Sequence, residues 1–196
     1  ILNQEKNLGF AGGHNISLLY ALEQHAEYVL VLNNDTTVHE KLLEYLLKAA
    51  KTDPRRGVIG PKIYFAPGHE YHRDRYTKNE KGKVIWYAGG IIDWNNVLLS
   101  HRGVDELDRG QFDLPGETDF VTGCCLLLSR EVIEKVGMFD ERYFLYLEDS
   151  DLNERVKRQG YTLWYEPKAV LWHKNAGSTG GSGSSLQDYF FTRNRL

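Results

Sequence analysis

The sequence predicts an α/β fold with a mainly parallel central sheet. Three observations carry that prediction. Residues 15–50 read helix, strand, helix, the alternation that places helices over a sheet. The strand between those helices, Tyr28–Leu32, is apolar at every position, as in strands covered on both faces. A second apolar strand near residues 120–129 is followed at once by a short helix.

The elements follow in order. Gly9, Gly12 and Gly13 fall in the stretch "GFAGGHN", where glycine lets backbone approach a neighbour and leaves amides pointing outward. A helix over 15–24 follows, with Ile16, Leu19 and Tyr20 on its apolar side. After the Tyr28–Leu32 strand, Thr37 and Glu40 have the spacing of a capping box for a second helix. Leu42, Leu43, Leu46, Leu47 and Ala50 form its stripe, and Pro54 lies beyond its end. "GVIGPKIYF" reads as the next strand. Residues 66–83 are polar and read as an exposed loop or irregular hairpin. Two short strands surround Gly89 and Gly90, and "ELDRGQFDLPGE" is a further loop. A buried strand then ends at Ser129, which caps a helix closed by Gly137. A helix over 149–159 ends at Gly160, with Leu152 and Val156 as its core contacts. "YTLWYEPKAVLWH" reads as strand, Pro167 turn and strand, and residues 175–185 read as a flexible Gly/Ser loop.

The chain has 196 residues, enough for one domain with a real core. Its 24 basic and 27 acidic residues give a formal net charge of −3, which argues against a nucleic-acid partner. The two cysteines, Cys124 and Cys125, are adjacent within an apolar run and read as reduced core residues. No run of 18 apolar residues is present to span a bilayer, and no signal peptide is evident. The opening "ILNQEKNLGF" lacks Met and reads as a cut inside a larger domain.

Candidate chemistry sits where apolar runs end. Asn33, Asn34 and Asp35 follow the Tyr28–Leu32 strand, and open α/β sheets gather ligands outside strand ends. A carboxylate there can hold a divalent cation that neutralises phosphate, or the same residues can form an Asx-type turn. One Asp cannot hold a metal by itself, so partners are needed. Glu148 and Asp149 follow the aromatic stretch "YFLYL", which would seat a carboxylate in a partly dry pocket, useful for a general base. The same carboxylates would equally suit a helix N-terminus. Asp151 and Arg155 are four apart and read as a structural pair. His173 ends a strand and could complete a metal site with Asp35. His69, His72 and His101 show no partner pattern. These features fit a metal-bound phosphate ester beside a carboxylate base, which suits nucleotidyltransferases and hydrolases as well as other transferases.

The stretches "NLGFAGGHN", "VLVLNNDTTV", "GVIGPKIYF", "FVTGCCLLLSREVIEKVGMFDERYFLYLEDSDLNERVKRQGY" and "AVLWHKNAGST" together resemble family 2 glycosyltransferases, with the rhamnosyltransferase-like enzymes as the nearest subgroup. The resemblance implies the GT-A fold, a nucleotide-diphosphate sugar donor such as dTDP-rhamnose, and Mg²⁺ or Mn²⁺ as cofactor. It implies a glycan or lipid-linked acceptor in polysaccharide or cell-wall synthesis, and a cytoplasmic protein in peripheral contact with the inner face of the membrane. Asn33-Asn34-Asp35 matches the Asp-x-Asp metal motif, with Asp35 as the metal contact and Asn33 near the ribose or diphosphate. Asp149 matches the base that deprotonates the acceptor, Glu148 a group that positions it, and His173 a metal or diphosphate ligand. Gly12, Gly13 and Asn15 match the helix start beside the donor, and Gly123 matches the acceptor-side strand edge. The implied reaction inverts the anomeric centre by direct displacement.

Family members begin with a base-binding strand–helix–strand unit, and no such segment precedes Asn7. Roughly 60 to 70 residues are expected to be absent, set against typical domain sizes. The single-domain fragment over 1–196 is therefore expected to be weakly active or inactive, with exposed sheet edges that favour self-association. The rival expectation is a non-catalytic domain that binds nucleotide sugar or carbohydrate. A nucleotidyltransferase would need a triphosphate loop rich in glycine and lysine, and none is found.

Overall fold

The computed structural model describes residues 2–174 and 184–195. Helix α1 (Gly9–Glu23) leads into β1 (Tyr28–Leu32), the short β2 (Thr36–Val38), α2 (Leu42–Thr52) and the long β3 (Arg56–Phe65). Three short strands follow: β4 (Ile85–Tyr87), β5 (Gly90–Asp93) and β6 (Leu98–His101). Then come β7 (Gly116–Glu117), β8 (Cys125–Ser129), α3 (Arg130–Val136), α4 (Glu148–Arg158), β9 (Thr162–His173) and α5 (Ser185–Arg195).

The central sheet runs β1-β8-β3-β9-β2, with β4 on β3 and β7 on β9. It is mixed and mostly antiparallel. Among the described residues only β3 and β9 run parallel, while β1/β8, β3/β8, β2/β9, β3/β4 and β7/β9 are antiparallel. The expected mainly parallel sheet is thus corrected. The apolar runs reported cover on both faces, and that cover is real. Leu127 and Cys125 of β8 face one core with Leu42 and Leu46 of α2. Leu126 and Leu128 face the other with Leu18 of α1, Val132 of α3 and Leu152 of α4. Side-chain hydrophobicity records burial, while strand direction is set by the connections, which the runs do not record.

Three local readings also change, and the exposed loop expected over 66–83 gains detail. β1 pairs only with β8 among the described residues, and four of its five side chains are half-buried. Thr37 does not cap α2: it lies in β2, and α2 starts after Lys41 with no side-chain cap. β2 borrows Thr36–Val38 because β9 extends far enough to pair with it, so tertiary pairing overrides the capping spacing. Pro167 makes no turn. β9 is continuous, and its register on β3 jumps from Glu166 to Val170, so the proline sits in an irregularity where no ladder hydrogen bond is asked of it. Residues 66–83 hold a short 3-10 turn, Arg73–Arg75, and are pinned at Glu70 and Tyr76, both buried.

Other expectations match. Ser129 Oγ accepts the Val132 amide at 3.2 Å and Gly137, at φ 88°, ends α3. Both cysteines are buried and free. Asp151 pairs with Arg155 at 2.8 Å. The flexible-loop reading of 175–185 lies, over 175–183, outside the described residues, while Ser185 begins α5.

Candidate active site

Strand pairing assembles the first half of the site. Asn33 extends β1 far enough to donate its amide to the Cys124 carbonyl at 2.9 Å. The chain then turns, with the Thr36 hydroxyl donating to the Asn33 carbonyl at 2.7 Å. Thr36 lies opposite His173 in the β2/β9 ladder. That register brings His173 Nε2 to 3.1 Å from Asp35 Oδ1, although the two residues are far apart in sequence. The Lys174 amide donates to the Asp35 carbonyl at 3.0 Å and fixes the approach. His173 is buried, and burial lowers its pKa against the opposing pull of Asp35, which favours the neutral imidazole that a metal needs.

The second half is a carboxylate pair at the start of α4. Glu148 is 4% exposed and its Oε2 has no hydrogen-bond partner among the described residues. Burial, then the neighbouring Asp149 charge, pushes its pKa up to about 8. Asp149 is better supported. Its Oδ2 accepts the Gly123 amide at 2.7 Å, and its Oδ1 accepts the Ser150 amide at 2.7 Å and hydroxyl at 3.2 Å. Burial raises the Asp149 pKa, while the amides of Gly123 and Ser150 oppose the rise. Three hydrogen bonds stabilise the charged form of Asp149 and none reaches Glu148 Oε2 among the described residues, so the geometry favours the anion on Asp149. Gly123 matters sterically as well: a Cβ there would stand 2.9 Å from the Phe10 ring and 3.4 Å from Asp149 Cβ.

Both halves open onto one cavity of about 420 Å³. Asn33, Asn34, Asp35, Gly123, Glu148, Asp149 and His173 all line it. Gly12, Gly13 and Asn15 do not. Gly12 and Gly13 lie inside α1 rather than in a loop. The Asn15 amide is occupied with Phe139 and Glu141, at 2.9 to 3.0 Å. The outward amides expected before α1 are also taken, since Phe10 N–H donates to the Phe144 carbonyl at 2.7 Å. Gly9 permits this closeness: it has φ 72°, and a Cβ on it would come within 2.3 Å of that oxygen.

Sequence reasoning missed the aromatic wall. Trp86 and His101 line the cavity, and the Trp86 ring stands edge-on between His101 and His173, at 4.4 and 4.6 Å. His101 is half-buried, its desolvation lowers its pKa to about 4, and its Nδ1 lies 3.0 Å from the Trp86 carbonyl. Tyr146 and Phe191 close another side. The one signal for the wall was the aromatic density of "IWY" beside two glycines, which reads equally well as core.

The residues present fit a divalent cation. Two ligands at adjacent corners of an octahedral ion lie about 3 Å apart when each bond is about 2.1 Å, and Asp35 and His173 are 3.1 Å apart. Asp35 Oδ1 is buried and faces His173 Nε2, while His173 Nδ1 is buried with no hydrogen-bond partner among the described residues. Among the described residues, no group of three or more His, Cys, Asp or Glu side chains is arranged to hold a metal. Two protein ligands leave coordination positions for the oxygens of a phosphate-bearing substrate.

A carboxylate–histidine pair facing a half-buried carboxylate dyad, across one cleft at the edge of a mixed sheet, describes an enzyme-like α/β domain. The chain belongs to glycosyl transferase family 2, whose family description matches residues 1–137. Glu148, Asp149 and His173 lie beyond that stretch. The chain is 32% identical over 160 residues to an N-acetylglucosaminyl-diphospho-decaprenol L-rhamnosyltransferase of Mycobacterium tuberculosis, covering 81% of this chain and 50% of the relative. It is 24% identical over 191 residues to the low-salt glycan biosynthesis hexosyltransferase Agl10 of Haloferax volcanii, covering 97% and 56%. The chain thus spans about half the length of these curated relatives. Among solved structures, GalNAc-T7 with UDP, GalNAc and Mn²⁺ superposes with a TM-score of 0.64 at 17% identity, over 98% of this chain and 35% of that one. The mannosyltransferase PcManGT of Pyrobaculum calidifontis, with GDP-Man and Mn²⁺, gives 0.51 at 17%, over 90% and 39%. These two likenesses are of fold. Among the described residues, no helix is long and apolar enough to cross a membrane.

Proposed function

We propose that this domain transfers a sugar from a nucleotide-diphosphate sugar to an acceptor hydroxyl, inverting the anomeric centre. The observation that carries the reading is the convergence of Asp35 and His173 with Glu148 and Asp149 on one cavity. Family membership, and the Mn²⁺ and nucleotides named with the two solved relatives, support the choice of donor and cation.

Asp35 and His173 would hold Mg²⁺ or Mn²⁺, which supplies charge neutralisation for a leaving diphosphate. Asn33 and Asn34 offer amides and carbonyls at the same rim for the ribose or diphosphate. The Asp149 carboxylate, held by the Gly123 and Ser150 amides, takes the proton of the acceptor hydroxyl. As it does, the acceptor oxygen bonds to the anomeric carbon. The bond from that carbon to the diphosphate oxygen breaks, and the nucleoside diphosphate departs with the electron pair. Glu148, protonated beside Asp149, keeps a second negative charge away from the base and orients the acceptor. Trp86 and Tyr146 shield the cleft from water.

The rhamnosyltransferase relative makes a dTDP-rhamnose donor and a lipid-linked glycan acceptor the first pair to assay, with peripheral contact at the inner face of the membrane as the setting. The test is product analysis. Nucleotide-sugar panels are incubated with polyprenyl-diphosphate glycans and Mn²⁺, and the anomeric configuration is read by NMR. An inverted glycoside and free nucleoside diphosphate, both lost in Asp149→Asn, are expected. Retention of configuration, or metal-dependent binding without turnover, would overturn the reading; the latter would favour a non-catalytic sugar-nucleotide binder.

A further inference from the structure

We propose that Asn194 of α5 is a positioning residue for the Glu148–Asp149 pair, holding the loop that carries it in a conformation the loop would not keep by itself. The proposal rests on the sugar-transfer reading for its effect on turnover. Its structural half stands independently.

The loop is unusual. Phe144, Tyr146 and Leu147 have φ of 62°, 66° and 70°. These are three bulky residues in the left-handed region that side chains disfavour, within four positions and directly before Glu148. Leu147 is itself the residue preceding the first turn of α4, so its twist sets the direction in which the dyad leaves the loop. Such a conformation persists only where surrounding contacts impose it.

Those contacts come mainly from α5. The Asn194 side-chain NH₂ lies 3.1, 2.9 and 2.7 Å from the carbonyls of Tyr143, Leu145 and Tyr146, and shares its two protons among these three acceptors. Arg193 Nη2 donates to the carbonyls of Arg142 and Tyr143 at 2.7 and 2.6 Å. Phe190 stacks on Phe144 and Phe191 on Tyr146, with ring centroids 5.4 and 4.7 Å apart. The far side of the loop is held by α1, where Phe144 O accepts the amides of Phe10 at 2.7 Å and Ala11 at 3.4 Å.

The chemistry picks out Asn194 among these groups. One uncharged NH₂ meets three carbonyls of the same loop, and a carboxylate of identical shape would face those carbonyls with no proton to give. Asn194 does not line the cavity, whereas Leu145, Tyr146 and Leu147 do, so it acts through the loop and not on substrate.

The experiment compares wild type with Asn194→Asp by steady-state kinetics and by hydrogen exchange of residues 143–149, read by mass spectrometry. The expected result is a kcat lowered 10- to 100-fold with donor KM within threefold, and amide exchange at least tenfold faster in the loop alone. Wild-type exchange in that loop, or faster exchange with unchanged kcat, would overturn the proposal. So would faster exchange across the whole domain with kcat falling in step with the folded fraction. Should Asn194→Asp not fold, Arg193→Ala at the exposed neighbour replaces it, with a three- to tenfold fall in kcat and the same local exchange expected. If wild type turns over no nucleotide sugar, the sugar-transfer reading fails, and loop exchange alone decides whether Asn194 is the clamp.

Discussion

Single residues decide the chemistry here, and the decisive contrast is between two adjacent carboxylates. Asp149 accepts hydrogen bonds from Gly123 and Ser150, while Glu148 Oε2 accepts none. Asp149→Asn is expected to lower kcat by roughly 10²–10⁴, the range of a lost general base. Glu148→Gln keeps the neutral, hydrogen-bonding form and is expected to cost less than about tenfold at pH 7. Because burial raises the Asp149 pKa, the acid limb of the kcat profile should lie above the ordinary aspartate range. It should stay in place in Glu148→Gln, because a neutral amide replaces a protonated acid, which a pH–rate series on both proteins checks. The sequence marked Asp35, Glu148, Asp149 and His173 individually, since each ends an apolar run. It offered His173 as a partner for Asp35 but carried no record of their approach. The 3.1 Å approach of His173 to Asp35 depends on β2/β9 register, a non-local pairing that no spacing along the chain encodes. His101 was passed over because its neighbours in sequence are polar, whereas its neighbours in space are the Trp86 and Tyr87 rings.

At the scale of elements, turn chemistry and caps were legible where they are local, and failed where distant pairing overruled them. Ser129 and Gly137 bound α3 as their residue types dictate. Thr37 and Glu40 had the spacing of a cap, yet β9 recruits Thr36–Val38 as a strand. The glycines before α1 signalled a close approach of backbone. The partner turned out to be the Phe144 carbonyl of the dyad loop. Gly9→Ala should therefore destabilise the fold by about 2–3 kcal/mol, from a left-handed φ and a direct clash together. Denaturant unfolding of the variant gives that figure. The loops also carry hidden structure. Lys62 is 2% exposed and binds Asp108 at 2.8 Å and also Asp113, tying β3 to the segment before β7. Lys62→Met is expected to cost about 3–5 kcal/mol, because Asp108 then loses its buried partner. A midpoint unchanged in urea would show that water replaces the lysine.

For the whole molecule, the sheet and its two cores make the site affordable. The α/β class and the helices on both faces were readable from the apolar runs, but strand direction was not. A sheet covered on both sides looks the same in sequence whether its strands run parallel or antiparallel. That shared cover also explains how the domain tolerates a dyad that opposes its own stability. Glu148 holds its proton more tightly in the folded chain than its ordinary value of 4.5 allows, up to about 8. Between those values the unfolded chain releases the proton first, so stability is greatest at or below about pH 4.5 as far as this group is concerned, and falls as pH rises toward 8. Asp149, raised in the same direction, adds to the slope. Glu148→Gln should flatten that slope and stabilise the protein at pH 8 by on the order of 2 kcal/mol. Thermal melts of both proteins across pH 5–8 measure it.

The central claim is that the cleft between Asp35 and Asp149 is built for a diphosphate held through a divalent cation. Calorimetric titration with UDP-, GDP- and dTDP-sugars, with and without Mn²⁺, on wild type and Asp35→Ala, tests it most directly. The expected result is binding that requires Mn²⁺ and weakens at least tenfold, about 1.4 kcal/mol, in Asp35→Ala. Binding of equal strength with and without Mn²⁺, and in both proteins, would contradict it.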